Sequence, residues 1–255
     1  MIQISKTLNG PAILSGPSAQ ESLDLHRRER ASGRPPFSDA NSNVYAAKSV
    51  RKIVYDDQGQ KCCYCEKQIE KSYNDIEHYR PKKSVRESPS HKGYWWLSYE
   101  WNNLLYACPQ CNRTGKNDKF PITDENNRCF EPTADIALEN PYILNPYTDN
   151  VETLFSYEFS DNEVKILPSS LDTQRKAKRT IEVLKLNRKD LKEFRFGTFS
   201  NFEFILNDLS EQVENADEHQ KSMINEYLKS ILGPKTPYVG MLRYYFKIIS
   251  NKANS

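Results

Sequence analysis

The chain lacks any apolar run of the roughly 18 residues that a membrane-spanning helix requires, so no span is expected. Its opening stretch, MIQISKTLNGPAILSG, holds one lysine and no long apolar core, which predicts no secretory signal. A dominant charge is also lacking: 36 Lys and Arg stand against 34 Asp and Glu, for a formal net charge of +2. Overall charge thus argues for no polyanionic partner, and any phosphate-binding surface has to be a local patch. No internal repeat is evident.

What is present is a polar chain of 255 residues, 37% hydrophobic and 27% charged, long enough for one large domain or two small ones. Fifteen tyrosines and 11 phenylalanines predict a core rich in aromatics. Four of the six cysteines form two pairs, Cys62-x-x-Cys65 and Cys108-x-x-Cys111. Each pair sets two thiolates on a tight knuckle at the spacing a tetrahedral zinc needs. Thiols held by metal suit a reducing cytoplasm. A plain zinc ribbon leaves roughly 15–20 residues between its knuckles; here residues 66–107 intervene, so the clasp closes around something else. Cys63 and Cys129 are left over and are expected to be small buried side chains, with Cys63 a competitor for the same metal.

Along the chain, residues 1–42 read as an irregular arm punctuated by Gly10-Pro11, Gly16-Pro17 and Arg34-Pro35-Pro36, with one short helix between Ala19 and Arg30. The arm is expected to be solvated, or to dock on a partner. Residues 43–130 hold the knuckles. They open with a predicted helix from Asn43 to Asp57 and continue with extended segments at Lys67–Glu70 and Asn74–Tyr79. The cluster Tyr94-Trp95-Trp96-Leu97 and Tyr99-x-Trp101 reads as core, with base stacking as the alternative. One or two helical turns from Asn112 to Asn117 are expected to be broken at Gly115. Residues 131–255 begin with turns and a hairpin through Ser160-Asp161-Asn162. Helices follow at 173–187, 189–213, 216–232 and 238–250. The block Arg175, Lys176, Lys178 and Arg179 is either a phosphate patch or a solvated helix face. His26, His91 and His219 are expected at the surface.

Between the knuckles lie Glu77, His78 and Asn103, and Asn112 follows the last cysteine. A neutral imidazole can accept a proton near pH 7 and suits a general base. In an extended strand the adjacent carboxylate points to the opposite side. An amide at Asn103 can orient the imidazole or brace the loop, and Asn112 offers a carbonyl oxygen to a hard cation. The order CxxC, Glu-His-x-x-Pro, Asn-Leu-Leu, Cys-x-x-Cys-Asn-x-x-x-Lys resembles the HNH nucleases with a ββα-metal core. More narrowly, HYRPK, GYWWLSYEWNNLLYACPQCNRTGKNDKFP, ILNPY and LNRKDLKEFR resemble the PtuB-type HNH proteins of Septu and retron anti-phage systems, which occur beside an ATPase called PtuA. The resemblance spans about residues 44–196.

The resemblance implies a mainly helical α+β protein with a ββα core, a structural zinc clasp and a helical C-terminal region. It implies Zn²⁺ on Cys62, Cys65, Cys108 and Cys111, His78 as general base, and Asn103 positioning it. Glu77 and Asn112 would hold a catalytic Mg²⁺ or Mn²⁺, and Arg80, Lys82 and Lys116 would contact phosphate. The substrate would be DNA or transfer RNA, and the partner a PtuA-like ATPase. Two departures stand out: Glu77 occupies a position where Asp is commoner, and Asn112 one where His is. The rival readings are a zinc-dependent binding module that does not cut, and a DNA endonuclease acting alone.

Overall fold

The computed structural model describes residues 1–71 and 74–253, and within them the protein is α+β with helices predominating. Three helices come first: α1 (Pro17–Ser32), α2 (Ser42–Tyr45) and α3 (Lys48–Asp57). The single helix expected from Asn43 is divided at Ala46 and Ala47. Its cap is Asn41, whose side chain accepts from Asn43 N at 3.0 Å. Strands β1 (Asp75–His78) and β2 (Leu104–Ala107) pair antiparallel, His78 opposite Leu104 and Asp75 opposite Ala107. A short π-helix (Gln110–Lys116) follows directly. The second sheet is the hairpin of β3 (Phe155–Phe159) and β4 (Val164–Pro168). Then come α4 (Lys176–Leu184), α5 (Lys189–Glu214), α6 (Glu218–Ile231) and α7 (Val239–Ala253), close to the helices read from the sequence. The turn expected between Glu70 and Asn74 falls on Ser72 and Tyr73, which lie outside the described residues.

Both sheets have only two strands, and a side-chain amide covers an open edge of each. Gln58 Nε2 donates to Tyr106 O at 2.7 Å while its Oε1 accepts from Tyr106 N at 2.8 Å. Asn187 does the same for Ile166, accepting at 2.9 Å and donating at 2.7 Å. Each amide supplies the donor–acceptor pair that a third strand would have supplied, so the buried backbone groups stay satisfied.

The packing corrects the expected solvated arm at its start, while most of residues 17–39 are exposed. Met1, Ile2 and Ile4 are buried, and Ile4 N donates to Pro146 O at 2.9 Å. The Met1 ammonium lies 2.7 Å from Glu66, with Lys61 3.5 Å from the same carboxylate. Burial alone would raise the Glu66 pKa, but these two cations and the Gly240 N–H hold it at about 2. Lys6 lies over the rings of Trp101 and Tyr147 at 4.1 and 4.2 Å. A sequence reading dominated by Gly-Pro punctuation cannot register such anchors, because each partner is far away in the chain.

One hydrophobic core runs from Met1 to Leu242, so the arm, the knuckle segment and the C-terminal helices share it. The aromatic cluster serves that core as expected, with Tyr94, Trp95, Tyr99 and Trp101 all buried. Among the described residues no helix is long and apolar enough to cross a membrane.

Two glycines allow backbone to approach backbone near β1. A Cβ at Gly115 would meet Leu184 backbone at 3.2 Å, so the glycine seats the π-helix on α4 and does not break the helix. Gly93 has φ +74°, and a Cβ there would lie 2.4 Å from the Lys82–Lys83 peptide. Gly93→Ala is therefore expected to cost about 1–3 kcal/mol or more through the positive φ and the clash. A urea unfolding curve would show a lower midpoint with an unchanged slope.

Candidate active site and four-thiol clasp

The first knuckle closes as a tight turn in which Cys62 N donates to Lys67 O and Glu66 N to Cys62 O, both at 3.0 Å. In the second, Asn112 N donates to Cys108 O at 2.9 Å. The four Sγ atoms of Cys62, Cys65, Cys108 and Cys111 lie within 4.8 Å of one another, all buried. A tetrahedral zinc with bonds near 2.3 Å sets sulfur–sulfur edges of about 3.8 Å. Cys65 and Cys108 are 3.9 Å apart, so the set can hold such an ion. Two donors face the sulfurs: Cys108 N–H reaches Cys62 Sγ at 3.4 Å and Arg188 Nη1 reaches Cys111 Sγ at 3.6 Å. Such donors offset thiolate charge. Cys63 and Cys129 are buried outside this group, and Cys129 donates to Glu131 O at 3.2 Å.

The clasp brings β1 and β2 together with the π-helix beside them. A cleft of about 450 Å³ opens there, lined by Glu77, His78, Lys82 and Asn112 among others. Alternation along β1 sends Glu77 and His78 to opposite faces. His78 is buried, with Tyr45 edge-on to its ring at 4.7 Å. Its Nε2 lies 2.9 Å from Ser98 O, a carbonyl that can only accept, so Nε2 carries the proton and Nδ1 keeps the lone pair. Burial pushes its pKa well below 6.5, and the neighbouring Lys82 and Lys116 push the same way, so the ring is neutral at pH 7.

On the other face, Asp75 and Glu77 meet the π-helix. Asn112 Nδ2 donates to Asp75 Oδ2 at 3.0 Å, and Arg113 binds Asp75 through Nε at 2.8 Å and Nη2 at 2.6 Å. Lys116 Nζ lies 2.6 Å from Glu77 Oε1, a Coulombic pair outside hydrogen-bond alignment. The directed hydrogen bond of Lys116 goes to His78 O at 2.9 Å. Burial raises the Glu77 pKa, and Lys116 opposes that rise.

Of the sequence-derived candidates, Glu77, His78, Lys82 and Asn112 therefore share one cleft. Asn103 lines a different cleft, together with Arg80. Its Oδ1 accepts from Arg80 N at 2.7 Å, and its Nδ2 donates to Arg80 O and Leu97 O, each at 3.1 Å. It braces the two segments that carry His78 and Ser98 and has no hydrogen bond to the imidazole. Arg80 is half-buried and pairs with Glu139 at 2.8 Å, away from the cleft. Lys116 is fully enclosed.

The expectation that His26 and His91 lie at the surface is corrected: both are buried, and His91 bridges Cys129 O at 2.8 Å and Gly93 N at 3.0 Å. His219 is exposed as expected, and so are Arg175, Lys178 and Arg179. Sequence reasoning missed Asp75, Tyr45 and Ser98. For Asp75 a signal existed, since it stands two residues before Glu77 and so shares its face of the strand.

Four thiols closing a two-stranded ribbon over a histidine, a carboxylate and an amide define a protein whose thiol clasp can hold a metal ion beside a small polar cleft. No protein-family model matches the chain. It is 35% identical over 157 residues to the Septu protein PtuB of Bacillus mycoides, covering 60% of this chain and 51% of that one. It is 27% identical over 176 residues to the candidate HNH endonuclease of retron Vc95 from Vibrio cholerae, covering 63% and 82%. A stretch of the Septu protein PtuA of Bacillus mycoides is 29% identical over 148 residues, 56% of this chain and 20% of that protein. Over about 60% of its length the chain is thus similar to a Septu PtuB protein and to a retron HNH endonuclease. It spans about half the length of the first of these relatives.

Two outcomes follow from the geometry. Elemental analysis of purified protein is expected to find about one zinc per chain, lost in Cys111→Ser together with the cooperative unfolding transition. Stability should also fall as pH drops. Unfolded His78 titrates near 6.5 while the folded ring resists protonation, so below 6.5 the unfolded chain binds the extra proton. Between that pH and the lower folded value, His78→Gln should flatten the stability-versus-pH curve by up to about 1.4 kcal/mol per pH unit.

Proposed function

We propose that the protein is a metal-dependent nuclease of the HNH type, its ββα unit formed by β1, β2 and the π-helix. The carrying observation is the convergence of Glu77, His78, Lys82 and Asn112 on one cleft beside the four-thiol clasp. The similarity to a PtuB protein and to the retron HNH endonuclease supports the same reading. The role in cells is that of an effector in anti-phage defence, acting with a PtuA-like ATPase.

The donor set in the cleft suits a hard cation: one carboxylate from Glu77 and one amide oxygen from Asn112, with room for waters and a phosphate oxygen. Mg²⁺ or Mn²⁺ bound there would stabilise the charge developing on a scissile phosphodiester. Zinc fills the clasp and is structural. His78 works through Nδ1, which takes the proton of the attacking water while Ser98 O holds Nε2–H and fixes the ring. Burial and the two lysines keep the ring unprotonated at rest, and an arriving phosphate, being anionic, shifts it towards greater basicity. Asn103 is a positioning residue that ties Arg80 to Leu97.

Lys82 is the phosphate contact among the three cations considered, since it lines the cleft while Arg80 is engaged by Glu139. Lys116 acts from within. It compensates the Glu77 charge and secures the carbonyl of His78.

The deciding assay offers DNA and RNA separately to purified protein in Mg²⁺, with and without the ATPase. Wild-type protein should cut one of them, and His78→Ala should lose about 10²–10⁴ in rate with zinc content and fold retained. If both substrates stay whole with the ATPase supplied, or if His78→Ala leaves cutting intact, the nuclease reading fails. The binding-module reading would then stand.

A further inference from the structure

Asn112 can serve a cation only through Oδ1, so the rotation of its amide decides whether the cleft presents an acceptor or a donor. Asp75 settles that rotation. Its carboxylate is gripped by the Arg113 guanidinium at 2.8 and 2.6 Å, and a carboxylate held in this way only accepts hydrogen bonds. The Asn112 group 3.0 Å from Asp75 Oδ2 must therefore be the NH₂. In a planar amide the oxygen then lies on the side away from Asp75. Asn112 lines the cleft whereas Asp75 does not, so the end that Asp75 leaves free is the one turned to the cleft that Glu77 and His78 also line.

We propose that Asp75 is a positioning residue which, locked by Arg113, fixes the Asn112 amide so that its oxygen faces the cleft as a ligand for a hard divalent cation. The inference rests on the nuclease reading and adds a residue that touches neither cation nor substrate. Strand alternation places it: Asp75 and Glu77 share one face of β1, two residues apart, and Asn112 and Lys116 stand four apart on the π-helix. The helix thus meets both strand carboxylates, Asp75 through Asn112 and Arg113 and Glu77 through Lys116. The pair of Asp75 and Asn112 is neutral on the Asn112 side and aims an oxygen, whereas Lys116 brings a cation to a carboxylate.

The test is Mn²⁺ affinity of the full chain, followed by electron paramagnetic resonance of free Mn²⁺ on the zinc-loaded protein. Asp75→Asn removes the obligate acceptor and is expected to weaken Mn²⁺ binding about tenfold or more, in the range seen when the support of a metal ligand is lost. Exchanging the pair, Asp75→Asn with Asn112→Asp, puts a donor at the strand and a carboxylate at the helix, and should recover most of the affinity. Arg113→Met removes only the exposed lock and should cost a few-fold, which covers the case in which Asp75→Asn does not fold.

Zinc content and melting temperature are read alongside, because a purely structural role would move these and leave Mn²⁺ affinity unchanged. If wild type binds Mn²⁺ and neither Asp75→Asn nor Arg113→Met weakens it, the positioning role is overturned while the nuclease reading stands. The same holds if the exchanged pair binds no better than Asp75→Asn alone. If wild type binds no Mn²⁺ in the cleft, both fall.

Discussion

Everything at the cleft depends on the convergence of four thiols from two knuckles far apart in the chain. Cys65 and Cys108 are 43 positions apart yet their sulfurs stand at 3.9 Å. Two short strands alone are marginal in water, so the clasp and the shared core together hold the strand pair. With the knuckles together, the π-helix that begins at Gln110 within the second knuckle runs beside β1. That placement sets Asn112 against Asp75 and Lys116 against Glu77. The amide of Gln58, Arg188 at the Cys111 sulfur and Gly115 against α4 then hold the unit to the rest of the protein.

The cleft keeps its charges apart by burying them differently. His78 faces Tyr45 and a backbone carbonyl, a setting that favours the uncharged ring. Glu77 faces an ammonium, which opposes the effect of its own burial. The two are neighbours in sequence, and only strand geometry separates their environments. A helix at the same place would have turned adjacent side chains by about 100° and mixed those surroundings.

Much of this was legible in the sequence, for reasons that can be named. The cysteine spacing is a local signal, and it led to the four residues that cluster. Glu77, His78 and Asn112 follow from their positions relative to the knuckles, and all reach the cleft. The C-terminal helices and the hairpin through Ser160 carry strong local periodicity and turn signals. What was not legible depends on distant partners. Arg80 and Lys116 look like free cations until Glu139 and Glu77 are placed beside them. His26 and His91 look polar until rings from elsewhere cover them. The leading segment looks irregular because its order comes from contacts with Pro146, Trp101 and Glu66.

The pairing of β1 with β2 covers only four residues, and its phase carries more meaning than its length suggests. Side chains alternate, so sliding one strand by a single residue would exchange the two faces wholesale. His78 would then turn towards the ammonium of Lys116, and Glu77 towards Tyr45 and Ser98. Imidazole and carboxylate would trade surroundings, and each would meet the environment that suits the other. Which face each side chain presents is thus a matter of parity: an even displacement keeps the faces and an odd one exchanges them. The distant knuckles hold that parity, because they fix where the second strand stops and the helix begins.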